Sequence, residues 1–296
     1  MMYRIVSKRY LAKGVFEMDI FAPRVAKKCM AGQFVIIRVD ANGERIPLTI
    51  SDFDREKQTV KIVTQAVGAT TLKISRLNEG DSLCDFVGPL GNPSDLVTDI
   101  QSFKDKKIVF IAGGVGVAPI YPQVKWLFEN GIKADVIVGA RSGELLILEN
   151  ELKNVCEEVF VCTDDGSKGE KGRVTDLLEK LVDSGRSYDH CVTIGPVIMM
   201  KFVCILTKRL CIPTTVSMNP IMVDGTGMCG ACRVTVGGKT KFACVDGPEF
   251  DGHEVDFDEA INRLTLYKTE EGRAFLKEKE GSTHHGGCGF CEGDDE

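Results

Sequence analysis

A short glycine-rich stretch with three cysteines constrains this chain more than any other feature. Cys229 and Cys232 are separated by two residues, and Cys244 follows twelve residues later. Glycine permits the tight turns that let neighbouring thiolates converge and backbone amides point at sulfur. A zinc site would need a fourth thiolate or a histidine nearby, whereas the nearest upstream candidate is Asp224. The spacing therefore predicts metal ligands; a zinc knuckle and three unligated buried cysteines are the alternatives.

Length and composition limit the remaining possibilities. A chain of 296 residues predicts two or three domains. The net charge of −6, without a basic stripe, disfavours nucleic acid as a partner. No apolar run is long enough to span a membrane, and the N-terminus lacks the apolar core of a signal peptide. We therefore expect a cytoplasmic protein without membrane contacts, in which the cysteines are free thiols or metal ligands.

Residues 1–100 have the pattern of short strands separated by turns. The expected strands are rich in β-branched and apolar residues and cover residues 3–10, 15–22, 33–39, 46–51 and 59–66. Asn42-Gly43 marks a turn between two of them, and the glycine- and proline-rich stretch 88–93 ends the region. This pattern predicts a small antiparallel β-barrel as the first domain.

The hydrophobic period changes in residues 101–217. Expected strands cover residues 107–113, 134–139, 158–163, 191–195 and 214–218. Expected helices begin at Pro119, lie near 145–152, include Val174 and Leu181, and cover 197–209. This alternation predicts a five-stranded parallel sheet with helices on both faces, an α/β domain that follows the β domain.

Residues 218–268 carry the cysteine loop. A hairpin with Gly237-Gly238 at its turn would bring Cys244 back toward Cys232. A segment this small has little core of its own, so a bound cluster would contribute to its folding.

Residues 269–296 form a tail that lies beyond the cysteine loop. It begins as a charged helix. Its end carries a second zinc-like pattern, formed by His284, His285, Cys288 and Cys291. The alternative is a flexible acidic tail, and these cysteines also compete with Asp224 for the fourth cluster position.

Arg45, Pro47, Leu48 and Thr49 lie on an expected barrel strand in the order R-I-P-L-T. An arginine can clamp phosphate oxygens with two parallel donors, and a hydroxyl can steady a flavin by bonding its N5 atom. The order resembles the flavin motif of the ferredoxin–NADP reductase family. This resemblance implies bound FAD, with Arg45 on the pyrophosphate and Thr49 facing the flavin at the point of hydride transfer.

Two further groups of residues support the same flavin site. Gly68, Thr70 and Thr71 open a short helix and can offer amides and hydroxyls to the phosphates of FAD. Val63 and Gln65 on the preceding strand would border the isoalloxazine ring. The alternative is an ordinary barrel strand and turn.

Gly113, Gly114 and Gly116 join the first expected strand of the parallel sheet to its helix. Such glycines allow close approach to a pyrophosphate, and a helix N-terminus favours its negative charge. Pro119 stands where a Rossmann dehydrogenase has the third glycine. The stretch resembles the pyridine-nucleotide loop of the ferredoxin–NADP reductase family.

Two turns at the carboxyl ends of sheet strands bear on the choice of nucleotide. Arg141 could hold a 2′-phosphate and favour NADP(H). Asp164 and Asp165 could bond a free ribose diol and repel that phosphate. We expect NAD(H), with NADP(H) as the alternative; both turns could also be solvated sheet edges without a ligand.

Gly195-Pro196 follows the fourth strand of the predicted sheet. Many reductases that this chain resembles carry a cysteine directly before this pair, near the nicotinamide, whereas this chain carries Ile194. The loop can still shape the pocket, because hydride transfer between stacked rings needs positioning more than acid–base groups.

The flavin, nucleotide and cysteine motifs occur in one order over residues 1–268. Together they are similar to the family of small subunits of NADH-dependent ferredoxin–NADP oxidoreductase, an electron-bifurcating transhydrogenase. The chain also resembles the β subunit of sulfide dehydrogenase and the electron-transfer subunit of dihydroorotate dehydrogenase. The resemblance implies a [2Fe-2S] cluster held by three cysteines, with aspartate in the first ligand position. These ligands would be Asp224, Cys229, Cys232 and Cys244.

The function implied by this resemblance is conversion between hydride and single-electron transfer. NADH would pass hydride to FAD, and electrons would leave through the cluster to a larger subunit with its own flavin and iron–sulfur centres, and indirectly to ferredoxin. A sulfide or dihydroorotate dehydrogenase subunit is one alternative. A zinc-binding or redox-sensing regulator on the same fold is an alternative of another class.

Overall fold

A computed structural model describes residues 3–281. Its N-terminal part is the predicted antiparallel barrel. The strands are β1 (Tyr3–Ala12), β2 (Val15–Phe21), β3 (Phe34–Arg38), β4 (Ile46–Asp54), β5 (Thr59–Gln65), β6 (Ser82–Leu83) and β7 (Asp85–Leu90). They pair antiparallel in the order β6-β1-β2-β5-β4-β3-β7. Only Cys84 separates the two edge strands in sequence, so the sheet is nearly closed.

The barrel interior follows from the two-residue period of its strands. In β2, Phe16, Met18 and Ile20 are fully buried and belong to one core cluster with Ile50 and Ile62. Two helices complete this part of the chain, α1 (Pro23–Lys28) and α2 (Ala69–Arg76).

The stretch 88–93, expected to end the barrel, begins inside its last strand. Gly88 and Pro89 belong to β7, which is an edge strand of the sheet. Proline is tolerated there because an edge strand needs no partner on its outer side. A Cβ atom at Gly88 would lie 2.8 Å from a Val35 side-chain carbon, so glycine allows β7 to approach β3 closely.

The second sheet is the predicted parallel α/β arrangement, and it has more strands than expected. Its strands are β8 (Ile108–Gly113), β9 (Asp135–Ala140), β10 (Val159–Thr163), β11 (Glu170–Lys171), β12 (His190–Ile194), β13 (Thr214–Ser217) and β16 (Glu249–Asp251). Their order is β11-β10-β9-β8-β12-β13-β16, and all neighbours are parallel except β13 and β16.

Helices cover both faces of this sheet, as predicted. They are α3 (Asp95–Thr98), α4 (Val117–Glu129), α5 (Glu149–Lys153), α6 (Val174–Asp183) and α7 (Val197–Arg209). Alternate residues of β8 enter two different cores: Phe110 packs in the cluster that includes α4, and Ile111 packs in the cluster that includes α6. A strand buried on both faces has a continuous apolar sequence.

The short helix expected near residues 145–152 is wrong in its boundaries. A 3-10 turn covers Gly143–Leu145, and α5 begins at Glu149. Leu146, Ile147 and Leu148 between them are buried in the core. Burial of three consecutive apolar side chains on one core requires an irregular backbone, and Leu148 accordingly has a φ of 57°.

The cysteine segment contains the predicted hairpin and also extends the parallel sheet. Its remaining elements are β14 (Arg233–Val236), β15 (Lys239–Phe242) and α8 (Phe257–Arg263). Gly237 and Gly238 both have positive φ at the turn between β14 and β15, as a two-residue hairpin requires. β16 pairs with β13 and so extends the edge of the parallel sheet. The segment is thereby fixed to the α/β part of the chain.

The charged helix predicted after residue 268 is α9 (Lys268–Glu280). It packs against α2 of the barrel, where Glu278 pairs with Arg76 and lies 3.8 Å from Lys73. The histidines and cysteines at 284, 285, 288 and 291 lie outside the described residues. Within residues 3–281, no helix is both long and apolar enough to cross a lipid bilayer.

Candidate functional site

A cleft of about 910 Å³ lies between the barrel and the parallel sheet. Its lining combines residues from both predicted motifs. The barrel contributes Pro47, Leu48, Thr49, Val63 and Gln65. The sheet contributes Gly113, Gly114, Gly116, Pro119, Arg141, Asp164, Gly195 and Pro196. The structure therefore places these residues of the predicted flavin and nucleotide sites around one cavity.

The loop from β8 to α4 has a shape that only glycine allows. A Cβ atom at Gly116 would lie 2.2 Å from the Ile194 carbonyl oxygen, and one at Gly113 would lie 2.4 Å from the Met199 sulfur. Gly114 has a φ of +56°. The free amides at the start of α4 and its dipole suit an anion such as a pyrophosphate. The backbone cradle in the cleft thus fits a dinucleotide.

Pro119 is the third residue of α4. The first turn of a helix has no intrahelical acceptor for its amides, so proline loses no hydrogen bond there. Pro122 lies one turn further on.

Gly195 and Pro196 meet the glycine loop directly. A Cβ atom at Gly195 would lie 3.0 Å from the Gly113 amide nitrogen. Ile194, which stands where many similar reductases carry cysteine, is 7% exposed and lines the cleft. An apolar side chain therefore occupies this wall of the cavity.

The two turns that bear on nucleotide choice are arranged differently. Arg141 and Asp164 are exposed and line the cleft. Asp165 does not line the cleft. Its Oδ1 atom accepts hydrogen bonds from the Ser167 amide at 2.9 Å and from the Ser167 hydroxyl at 2.6 Å. These bonds hold the pKa of Asp165 below its usual value. Of the two predicted ribose ligands, the structure brings only Asp164 to the cavity.

Arg45 faces the cysteine loop in this structure. Its Nε atom donates to the Val223 carbonyl at 3.0 Å, and its Nη2 atom donates to the Asp224 carbonyl at 3.4 Å. Asp85 lies 3.9 Å from Nη1. One predicted pyrophosphate ligand thereby connects the barrel to the cysteine loop.

The predicted phosphate turn at α2 is internally bonded. The Thr71 hydroxyl accepts from the Gly68 amide at 2.9 Å, which caps the helix. The Thr70 hydroxyl donates to Glu44 at 2.7 Å, next to Arg45 in the chain. Gly68, Thr70 and Thr71 are not among the residues that line the cleft. They flank the start of α2, whose amides remain the donors of this turn.

The cysteine loop brings two of its four predicted ligands together. The Sγ atoms of Cys232 and Cys244 are 3.2 Å apart, and both residues are buried. Burial, with a smaller contribution from Cys232, raises the pKa of Cys244 to about 12. The Gly227 amide opposes this rise by bonding to Cys244. An amide directed at sulfur is typical of iron–sulfur sites.

Asp224 and Cys229 are joined through the backbone. The Asp224 Oδ2 atom accepts from the Cys229 amide at 2.8 Å, and Oδ1 accepts from the amide and, at 3.0 Å, the hydroxyl of Thr226. These bonds lower the pKa of Asp224. Cys229 is exposed.

The four predicted ligands do not converge on one point. Among the described residues, no three histidine, cysteine or acidic side chains are close enough together to hold a metal ion. The donor set still fits an iron–sulfur cluster, because two thiols are adjacent, an amide faces sulfur, and glycines with positive φ stand at 225, 227 and 230.

The sequence missed several residues that line the cleft. Met222 and Pro248 come from the cysteine segment, Phe34 comes from the barrel, and Arg173 comes from the turn before α6. Met222 and Pro248 directly flank the cysteine motif in sequence, whereas Phe34 and Arg173 belong to none of the recognised motifs. A general apolar character was their only local signal, apart from the charge of Arg173.

Comparisons with known proteins agree with this arrangement. Residues 110–205 match the oxidoreductase NAD-binding domain, and residues 219–256 match the iron-sulfur cluster binding domain of dihydroorotate dehydrogenase B. A protein of Thermotoga maritima, the homolog of the electron transfer subunit of dihydroorotate dehydrogenase B (NAD(+)), is 48% identical over 267 residues, which cover 90% of this chain and 92% of that protein.

This chain belongs to the family of those electron-transfer subunits. A Clostridium beijerinckii protein, described as an uncharacterized protein in the adh 3′ region, is 60% identical over 99% of this chain and 100% of its own length. A solved structure of NADH-dependent reduced ferredoxin-NADP oxidoreductase, described in terms of flavin-based electron bifurcation, is 44% identical, with a TM-score of 0.84 over 94% of this chain and 97% of that one. These comparisons confirm the predicted family and the predicted oxidoreductase fold. They also confirm the predicted iron–sulfur and NAD-binding segments.

Proposed function

We propose that this chain is an electron-transfer subunit that exchanges hydride between NAD(H) and FAD. It passes single electrons through a [2Fe-2S] cluster to or from a larger flavoprotein, in an enzyme of the ferredoxin:NADP(H) bifurcating transhydrogenase type. The cleft carries this proposal, because its lining combines the barrel motif, the glycine loop and residues of the cysteine segment.

The chain's own residues mainly bind and orient. The glycine loop and the start of α4 receive the nucleotide pyrophosphate. Thr49 would offer its hydroxyl to the flavin, and Val63 and Gln65 would border the ring. When bound, FAD supplies the conversion between hydride and single electrons, and the cluster supplies a one-electron carrier. The apolar Ile194 contributes no proton donor, and hydride transfer needs none.

Arg45 and the amides at the start of α2 would hold the phosphate half of FAD. The Thr70 hydroxyl donates to Glu44, so the start of α2 lies beside the residue that precedes Arg45. Arg45 also bonds the carbonyls of Val223 and Asp224. The Arg45 side chain therefore connects the proposed flavin site to the cysteine loop.

The nucleotide is NAD(H). Asp164 lines the cleft and suits a free ribose diol, since its charge repels a 2′-phosphate. Arg141 opposes this preference from the neighbouring turn and keeps NADP(H) as the alternative.

The partner is a larger subunit with its own flavin and iron–sulfur centres, through which electrons reach ferredoxin. Three apolar side chains near the predicted cluster ligands are exposed: Met228 at 87%, Val223 at 49% and Val245 at 42%. Exposed apolar surface of this kind is typical of protein interfaces. The complex works in the cytoplasm, where thiol ligands stay reduced.

Two alternatives remain as outcomes of experiment. A subunit of sulfide or dihydroorotate dehydrogenase would be found with a different large partner on co-purification. A regulator without catalysis would lack flavin absorbance and would not respond to NADH.

The test is anaerobic purification followed by iron, sulfide and flavin analysis and an NADH titration. We expect one FAD and one [2Fe-2S] cluster per chain, with bleaching of both chromophores by NADH. Colourless protein, or a flavin that NADH does not reduce, would contradict the proposal. Asp224→Ala tests the fourth ligand: full cluster content in this variant would reject Asp224.

A further inference from the structure

Two arginines contact the turn between Cys229 and Cys232. Arg263, the last residue of α8, donates from Nη2 to the Ala231 carbonyl at 3.1 Å. Arg233, the first residue of β14, donates from Nη1 to the Gly230 carbonyl at 3.5 Å. Both guanidinium groups therefore lie beside the backbone that joins two predicted cluster ligands.

The two arginines differ in exposure and pairing. Arg233 is exposed, whereas Arg263 is partly buried. The Nε atom of Arg263 is buried and has no hydrogen-bond partner within residues 3–281. Asp258, on the same helix, pairs instead with Lys201 at 2.6 Å. In the described part of the chain, no carboxylate oxygen lies within 4 Å of the Arg263 guanidinium to form an ion pair.

The surroundings of Arg263 strengthen the effect of that charge. A cavity of about 270 Å³ lies between the loop and α8, and its lining includes Cys229, Ala231, Arg263, Leu264 and Leu266. Arg233 lines the same cavity but is exposed. Because Arg263 is partly buried, its field is less screened than that of the exposed arginine. Both the contact and the charge act on the same short stretch of loop.

We propose that Arg263 is a positioning residue of the cluster loop, which fixes the Gly230–Ala231 turn and raises the reduction potential of the cluster. Reduction adds negative charge to the loop, and a nearby uncompensated cation favours the reduced form. This inference rests on the proposed function, because it requires a cluster held by this loop.

The experiment is an EPR-monitored redox titration of the anaerobic holoprotein and three variants. Arg263→Gln removes the charge and keeps a donor for the Ala231 carbonyl; Arg263→Lys keeps the charge. Arg233→Gln is the matched control at the exposed arginine. We expect Arg263→Gln to make reduction of the cluster about tenfold less favourable, which is 59 mV for one electron. Arg263→Lys and Arg233→Gln should stay within about threefold of the wild type, because one keeps the charge and the other removes a screened one.

Each other outcome separates this inference from the proposed function. A wild-type protein without iron contradicts the proposed function itself. A loaded Arg263→Gln protein with the wild-type potential, or a shift equal to that of Arg233→Gln, overturns the role of Arg263. Loss of the cluster in Arg263→Gln alone, with Arg263→Lys loaded at the wild-type potential, supports the charge requirement. Loss in both variants assigns Arg263 to loop folding only and overturns the inference.

Discussion

The nucleotide side of the cleft is walled by β8, in which every residue is buried, whereas the cysteine loop exposes Cys229. The glycine loop follows directly from β8 and is held against β12 by contacts that leave no room for a Cβ atom. The cysteine loop is shaped by turns and side-chain bonds, and only Cys232 and Cys244 of its four predicted ligands meet.

This difference shows which contacts determine the shape of each site. The cleft is lined mainly by elements that belong to the large cores of the barrel and the parallel sheet. The cysteine loop has a small core of its own, shared with Phe34 and Ile36 of the barrel. Its final ligand geometry would come from the cluster, since metal binding and folding are coupled in such segments.

Removal of a cluster thiol should have the largest effect, and this effect should be confined to the cysteine loop. We expect Cys232→Ser and Cys244→Ser to lose nearly all iron, because each removes a thiolate that oxygen replaces poorly. FAD content should stay near the wild-type level, since most residues that line the cleft belong to the barrel and the parallel sheet. Iron, sulfide and flavin analysis checks this.

The matched control for the thiols is Cys211→Ser, at an exposed free cysteine after α7. It should retain both cofactors. Equal loss of FAD and iron in the Cys232 variant would show that the two regions fold together, and the comparison would fail.

A methyl group added to the glycine loop tests whether the nucleotide side of the cleft is rigid. Gly116→Ala places a carbon 2.2 Å from the Ile194 carbonyl oxygen, and backbone on both sides cannot yield easily. We expect a destabilisation of about 3 kcal/mol and a loss of NADH affinity, with iron content unchanged. Chemical unfolding and NADH titration measure these effects.

The control for this substitution is Gly272→Ala in α9, where a Cβ atom would meet nothing within 4 Å. It should leave stability unchanged or raise it by up to about 1 kcal/mol, because alanine favours helix. Wild-type NADH affinity in Gly116→Ala would contradict the view of a loop that cannot adjust.

The mildest expected effect on function, a change in pH dependence with both cofactors retained, concerns the junction between the two regions. Glu249 on β16 accepts a hydrogen bond from Gln123 of α4 at 2.6 Å, and Gln123 is fully buried. Burial raises the pKa of Glu249 to about 7 from 4.5. The folded state therefore holds a proton that the unfolded state releases between these values, so stability falls as pH rises from about 4.5 to 7.

Glu249→Gln should remove this pH dependence, which amounts to about 3.5 kcal/mol at about 1.4 kcal/mol per pKa unit. Urea unfolding at several pH values from 4.5 to 7.5 measures it. Glu254→Gln, at an exposed site of the same segment, should leave the slope unchanged. A wild-type slope in Glu249→Gln would mean that this contact does not link the regions energetically.

The sequence predicted the elements whose pattern is local. The alternating strands of the barrel, the continuous apolar strand β8, the glycine loop and the Gly237-Gly238 turn all occur as expected. In each case the residues that determine the backbone are neighbours in the chain, so period and turn chemistry suffice. The flavin and nucleotide motifs were readable for the same reason, and the structure places Pro47, Leu48, Thr49 and the glycine loop around one cleft.

Long-range contacts decided the rest. Asp164 reaches the cleft while Asp165 bonds Ser167, although the two are adjacent in sequence. Arg45 turns toward carbonyls 178 and 179 residues away. Such directions depend on packing between elements that are distant in the chain, and no local propensity encodes them. Residue types and their order thus determined which chemistry this protein can perform, and the tertiary structure decided which side chains take part.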